Sequence, residues 1–378
     1  MSISPNPMSL PPSEPARPVL GSRPPLQSAH PCRCRNIRLA ATLLNMPRIP
    51  ARTTDRTFTV YWDDIQEGIW FQSLHPRLSG AALEQLTGAA VRNPQLANVL
   101  RYDRPDIVLA HGTDPILVVE RTVEVPSGHN VGQRFPRLAA AAQSQIPVVY
   151  MGPYAARKHG GRTAGPRYMN LRLFKALDEM ARIENTAVTV INWPVDAHYE
   201  VIQTAAKDAR IRAFMDVYFQ LYDVHGIPQM NPALMRSSYE QTQIAERAHF
   251  EQHEVEDPAQ YNSPPDSVRI VPTSSLGAWT RAMRGSNGPL SECVVYDIGM
   301  TYMRSDPYTG MGVLYSYLYA GGMRDRTRHV VLSFPAISKA LWAEMVGRSP
   351  TSKTIRLYRE IADAIVFSDG PVVRASLP

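Results

Sequence analysis

PDIVLAHGTDPILVVERTVEVPSGHNVGQRFPRLAAAAQSQIPVVY, Pro105 to Tyr150, is the stretch from which the rest of the chain can be read. Two short runs rich in β-branched residues, Ile107 to Ala110 and Ile116 to Val119, flank the turn His111-Gly112-Thr113-Asp114-Pro115, so the spacing predicts a hairpin. A helical Arg/Ala segment follows, and then a third apolar run from Pro147 to Tyr150. The expected order is hairpin, helix, strand.

The acids of this stretch carry its chemistry. Asp106 opens the first strand directly after a proline, and Glu120 closes the second, fourteen positions further on. A hairpin of that length can bring both carboxylates to one end of the sheet. The two-residue period of a strand places Ile116, Val118, Glu120 and Thr122 on one face, an apolar stripe ending in a carboxylate and a hydroxyl. Two acids converging there, with little around them to neutralise both, suit a hard divalent cation with oxygen ligands, Mg²⁺ first. Along the following helix Asn130, Gln133, Arg134 and Arg137 recur at three- and four-residue intervals and share a face. So placed, they can hold a phosphate or the groups around a metal. The alternative is a solvated face opposite the alanines at 139–142. Pro136 either breaks this segment or marks its first turn.

Pro105, Asp106 and Glu120, with a helix and strand after them, resemble the PD-(D/E)xK nuclease superfamily, the fold of many restriction endonucleases. The resemblance covers Glu84 to about Lys175. It implies a mixed central sheet flanked by helices, Asp106 and Glu120 as Mg²⁺ ligands, and hydrolysis of a phosphodiester. Thr122 stands where that family has a lysine that orients or deprotonates the attacking water. Lys158, Arg121 and Arg134 are the candidates to replace it, Thr122 would bind a water or lie in the metal's shell, and Gln133 and Arg134 would hold the phosphate. Family members often carry a further acid on the helix before the sheet. Glu84 is the first candidate for it, with Glu67 behind.

The chain has 378 residues, enough for two domains. No apolar run approaches the roughly 18 to 20 residues of a membrane span. Three cysteines cannot make a disulfide framework, so the expected setting is a reducing, cytoplasmic one. The net charge of +6 lies entirely in residues 1–56, which hold eight arginines against Glu14 and Asp55; the remainder is neutral. Any DNA-binding surface must therefore come from local segregation of charge. Residues 1–56 are rich in Pro, Ser and Arg and are expected to be a disordered tail. They can be an over-long reading of the gene with Met46 as the true start, a targeting segment, or a basic arm following a DNA backbone. Cys32 and Cys34 are too close for a structural zinc site. His249 and His253 share a helical face, but Phe250 stands where a metalloprotease needs Glu.

The body divides into an expected nuclease domain, 57–253, and an α+β C-terminal region, 254–378, with the Pro/Asp/Asn-rich connector 254–265 between them. Thr57 to Trp62 alternates as a strand. Ser79 to Leu100 patterns as a helix interrupted at Asn93-Pro94, with no strand visible between it and Asp106. After Tyr150 the residues Arg157, Lys158, Arg162, Arg167, Arg172, Lys175 and Arg182 face only Asp178 and Glu179, an excess suited to phosphate contacts. A helix over Leu171–Ile183, a strand over Ala187–Asn192 and helices over Val201–Leu221 and Arg236–His253 complete the first part. Beyond it lie strands at Cys293–Tyr296 and Val330–Phe334 and helices near Ile337–Met345 and Thr354–Ile365. The loop from Asp297 offers Arg304, Asp306, Tyr308 and Thr309 to base edges or phosphates.

Together these features lead us to expect a Mg²⁺-dependent endonuclease of type II restriction-like character, cutting double-stranded DNA. Arg137, Arg157, Lys158, Arg162 and Arg304 would contact DNA, and the second half would recognise the target. Symmetric cutting would imply a homodimer, and a cognate DNA methyltransferase would be encoded nearby. Two readings compete: a non-catalytic DNA-binding or repair-associated protein on a degenerate nuclease fold, and a metal hydrolase acting on something other than DNA.

Overall fold

The computed structural model describes residues 58–125, 131–157, 165–283, 290–299, 307–348 and 353–374, of which 307–309 and 353 are described as backbone only. The tail 1–57, Asn130, Lys158, Arg162, Arg304 and Asp306 lie outside them. In chain order the first part comprises β1 (Phe58–Trp62), α1 (Ile65–Gln72), β2 (Ala82–Gln85), α2 (Ala89–Arg92), α3 (Leu96–Val99), β3 (Ile107–His111), β4 (Asp114–Arg121), α4 (Val131–Gln143) and β5 (Val148–Gly152). A two-residue ribbon, β6 (Ala155–Ala156) with β7 (Arg167–Tyr168), precedes α5 (Leu171–Glu184) and β8 (Val188–Asn192), and α6 (Ala209–Met235) and α7 (Ser238–His253) follow. The second part comprises β9 (Val268–Pro272), β10 (Glu292–Asp297), α8 (Pro307–Ala320), β11 (His329–Phe334), α9 (Lys339–Arg348), α10 (Lys353–Ile361), β12 (Ala364–Phe367) and β13 (Gly370–Val373).

The strands form two mixed sheets flanked by helices. The first has the order β2-β1-β3-β4-β5-β8, antiparallel across β1, β3 and β4 and parallel from β4 through β5 to β8. α4 makes the crossover that a parallel β4–β5 pair requires. The second sheet, β13-β12-β11-β10-β9, has three parallel strands in its middle and an antiparallel strand at each edge. Its strands alternate with helices, so the C-terminal region is not the segregated α+β arrangement expected from its sequence. Residues 52–378 form one compact unit. A single core runs from Val108, Val118 and Tyr150 on one face of the first sheet, through α4 and α5, to Val313, Tyr317 and Leu332 of the second part. The other face of the first sheet, with Leu117, Val119 and Val149, is covered by α1 and α6. The connector at 254–265 therefore joins sheets that share a core.

Fully burying a valine or leucine side chain is worth roughly 1.5–3 kcal/mol. Val108, Leu117, Val118 and Val119 are all sealed from water, enough to fix the β3–β4 register and carry the polar residues at its end with it. One departure from strict alternation occurs. A register shift between Leu109 and Ala110 moves Ile116 onto the α6 face, so the stripe expected to begin at Ile116 begins at Val118.

Helices α4 and α8 cross at two glycines. Pro136 lies inside α4 and has no N–H to give the carbonyl of Gly132. That carbonyl points at Gly310, where an added Cβ would sit 1.5 Å from it. Proline thus neither ends the helix nor begins it. The freed carbonyl becomes the contact surface for α8.

The region Ser79–Leu100, expected as a helix interrupted at Asn93-Pro94, begins instead with an edge strand, β2, and has a single helical turn on either side of that interruption. Gly88, at φ 70°, turns the chain after the strand, and Ala82 to Gln85 pair in parallel with Thr59 to Trp62. No strand lies between this stretch and Asp106, and β3 pairs instead with β1, the strand expected over Thr57–Trp62. Tyr308 and Thr309 begin α8 rather than sit in a loop, and Ile365 belongs to β12 rather than to the preceding helix.

Candidate functional site

Asp106 is the residue before β3 and Glu120 the penultimate residue of β4. Ile107 pairs with Val119, so the acids face each other one step beyond that pair. They lie at the carboxyl end of β4, level with the ends of the parallel strands β5 and β8, where open α/β sheets hold their ligands. Both carboxylates point to the α4 side. Arg137 Nη1 donates to Glu120 Oε1 at 2.9 Å and to Asp106 Oδ1 at 3.4 Å, so one nitrogen bridges the pair. The expected convergence is therefore present.

What surrounds the pair differs from expectation, because two guanidinium groups neutralise it. Arg134 Nη1 donates to Glu120 Oε1 at 2.6 Å and to the main-chain carbonyl of Arg121 at 2.7 Å, and lies 3.9 Å from Asp106 Oδ2. Arg137 is anchored behind by its Nε on Asp103 Oδ2 at 3.0 Å. The three-residue spacing of Arg134 and Arg137 on α4 delivers both to the same point. Arg137, expected as a DNA contact, is thus a member of the ion cluster. Gln133 takes no part in this network.

Arg121 serves the site with its backbone. Its N–H donates to Asp106 Oδ2 at 2.8 Å. Its side chain leaves on the opposite face, where it lies over Trp70, 4.3 Å from the ring centroid, and reaches Glu67 at 3.3 Å. That turns its guanidinium away from the two acids. Thr122 does not bind at the site either: its hydroxyl donates to the Glu124 carbonyl and accepts from the Glu124 N–H, both at 3.1 Å, closing a turn beyond the strand.

Glu84 is removed from the site. It sits on the edge strand β2, two strands from β3, and pairs with Arg92 at 3.3 Å. The acid that does approach is Glu67 on α1, whose carboxyl is raised by burial and by the neighbouring Asp106. Three residues of the expected basic surface have partners in the chain, all at the surface. Arg172 donates to the carbonyls of Gln260 and Ser263, Lys175 bonds Asn262 and Arg182 pairs with Glu179, tying α5 to the connector and to itself. Arg157 remains exposed.

Glu120 is 0 % exposed and Asp106 8 %. Burial and then Asp106 push the Glu120 carboxyl up to about 8, against the pull of Arg137 and Arg134. Asp106 is raised by burial too, although the Arg121 N–H and the arginines oppose it. The cluster opens to solvent along Arg134, whose side chain is 28 % exposed. Among the described residues, two buried polar atoms here have no hydrogen-bond partner: Glu120 Oε2 and the hydroxyl of Tyr150, the β5 residue that pairs with Glu120. Tyr150 and Asp103 were not singled out from the sequence. The strand period and the Asp103-Arg104-Pro105-Asp106 run were the available signals.

Among the described residues no group of three or more His, Cys, Asp or Glu side chains comes together as a metal cage. A cavity of about 550 Å³ lies at the opposite end of the sheet, by Asp114, Pro115, Gln145 and Asn231, and does not include the acids. No helix among the described residues is long and apolar enough to cross a membrane. Compared with known proteins, the chain matches no family model, no curated protein and no solved structure.

Proposed function

We propose that this protein is a divalent-cation-dependent endonuclease that hydrolyses phosphodiester bonds in double-stranded DNA on a restriction-endonuclease-like core. The observation that carries the reading is the meeting of Asp106 and Glu120, from adjacent strands, within reach of the single nitrogen Arg137 Nη1. The order of parts also supports it: Asp106 before β3, Glu120 on β4, then α4, then β5 parallel to β4.

A hard cation fits this donor set. Asp106, Glu120 and the Arg121 carbonyl offer oxygens on one side, and Glu120 Oε2 is buried with no hydrogen-bond partner among the described residues. Mg²⁺ bound there would supply polarisation of the phosphate and a lowered pKa of water. The chain's own residues do the rest. Asp103 and the Arg121 N–H hold Arg137 and Asp106 in place, and Arg134 and Arg137 present fixed positive charge to non-bridging phosphate oxygens. They take over the electrostatic part of the lysine that Thr122 replaces. Restriction-type cutting, a homodimer and a protecting methyltransferase are further parts of this proposal.

One observation favours the degenerate, DNA-binding alternative: both carboxylates are already ion-paired to arginine. Incubating plasmid DNA with the purified full chain and Mg²⁺ or Mn²⁺ separates the two. Discrete fragments that vanish with EDTA support the endonuclease. Retarded but intact plasmid supports the binder, and cutting that survives Asp106→Asn removes Asp106 from the site.

A further inference from the structure

The two arginines of the cluster are held differently. Arg137 has an anchor outside the acid pair, its Nε on Asp103. Arg134 has no such anchor among the described residues. Its hydrogen bonds and ion pairs all run through Nη1, and all end on oxygens of Glu120, Arg121 and Asp106, at 2.6, 2.7 and 3.9 Å. Two carboxylates and a main-chain carbonyl converging on one point are the donor set of a hard divalent cation, whose oxygens lie at roughly 2.0–2.6 Å. A nitrogen in the middle of these oxygens and a metal ion cannot occupy the same place. Arg134 is partly exposed, its side chain 28 % open to solvent.

Resting on the nuclease reading, we propose that Arg134 is the resident occupant of the cation position. A divalent ion binds only by displacing it, which frees its guanidinium to take a phosphate at the mouth of the site. The apo protein thereby neutralises Glu120, and Glu120 Oε2, which Arg134 leaves without a partner, is the oxygen left for the metal to claim. Expelling Arg134 puts a fork of N–H donors beside the ion, where phosphate oxygens bind guanidinium in bidentate fashion. Metal and polyanion then strengthen each other's binding by the same factor.

The test is a Mn²⁺ titration of the full chain, followed by electron paramagnetic resonance of the free ion and without any turnover. Arg134→Met, which fills the same space without charge, should bind Mn²⁺ about tenfold or more tightly than the wild type, within the usual range of a coupling between sites. Added phosphorothioate duplex should tighten Mn²⁺ in the wild type and lose that effect in the variant. Equal or weaker Mn²⁺ binding by folded Arg134→Met would overturn the displacement while leaving the metal site standing. Absence of Mn²⁺ binding in both proteins would instead remove the metal reading on which the proposal rests. If Arg134→Met does not fold, Arg134→Gln, which also removes the charge, answers the same question: it should bind Mn²⁺ more tightly than the wild type, and an unchanged affinity overturns the displacement.

Discussion

Two of the places where the protein buries ionisable side chains are built in opposite ways. In the second sheet Asp363, just before β12, receives Arg326 Nη1 at 3.1 Å and the Val330 N–H at 2.9 Å. His329 completes it. Its Nε2 accepts the Leu290 N–H at 3.2 Å, which leaves the ring proton on Nδ1, 3.5 Å from Asp363. Burial would raise this carboxyl, yet His329, Arg326 and Val330 together hold it below its ordinary value. In the first sheet two carboxylates share their arginines, and Glu120 is pushed up instead. Location follows the same division. Asp363 sits at the amino ends of its parallel strands, Glu120 at the carboxyl end of its own. One carboxylate surrounded by donors is a structural tie. Two carboxylates facing each other are a site where each acid raises the other's demand for a proton or a cation.

The sharpest contrast comes from removing the acids. Asp363→Ala strands a buried guanidinium and should cost about 3–5 kcal/mol in urea denaturation. Under the proposed function Asp106→Asn or Glu120→Gln should leave the chain folded and lower cutting by on the order of 10² to 10³, the usual scale for losing a group that stabilises charge in the transition state. A stable Asp363→Ala, or a Glu120→Gln that cuts at the wild-type rate, breaks the distinction.

The helix crossing that joins the two regions is the next most sensitive point. Gly310→Ala drives a Cβ into the Gly132 carbonyl, which is backbone and cannot turn aside, and should lower stability by about 1–3 kcal/mol. A melting temperature equal to wild type would show that α8 can shift without cost.

Acid and base should act on the two clusters with opposite sign. Glu120 moves from 4.5 to about 8, so the folded chain favours its protonated form. Its contribution is whole below pH 4.5 and lost as pH rises through about 8, a slope approaching one proton in metal-free buffer. Asp363 is held below 3.8, so its contribution is present above that value and lost as pH falls through the lowered pKa. Denaturation across this range should flatten at high pH in Glu120→Gln and at low pH in Asp363→Asn. An unaltered high-pH slope in Glu120→Gln contradicts the assignment. The smallest effect belongs to Glu84→Ala. It removes an exposed pair with Arg92 and should change stability by less than about 0.5 kcal/mol and leave cutting alone.

Much of the architecture was legible where the pattern was local. The β3–β4 hairpin, α4, β5, α5 and β8 all follow from apolar periodicity with turn residues between. The stretch Ser79–Leu100 was not, because its apolar residues satisfy a helical period equally well and only pairing with β1 decides for a strand. The same holds for the choice between Glu84 and Glu67. Both are glutamates of ordinary spacing, and which one approaches Asp106 depends on how α1 packs. The basic run after Tyr150 reads as a ligand surface until its partners in the connector are seen.

From its sequence alone this chain determined that Asp106 and Glu120 would end neighbouring strands and that Arg134 and Arg137 would share a helix face, since periods of two and 3.6 residues are properties of the backbone. Only the tertiary structure decided that the helix lies across the strand ends, so that the arginines neutralise the acids. That depends on packing between α4, α5 and α8, contacts between residues far apart in the chain whose energy no local pattern records.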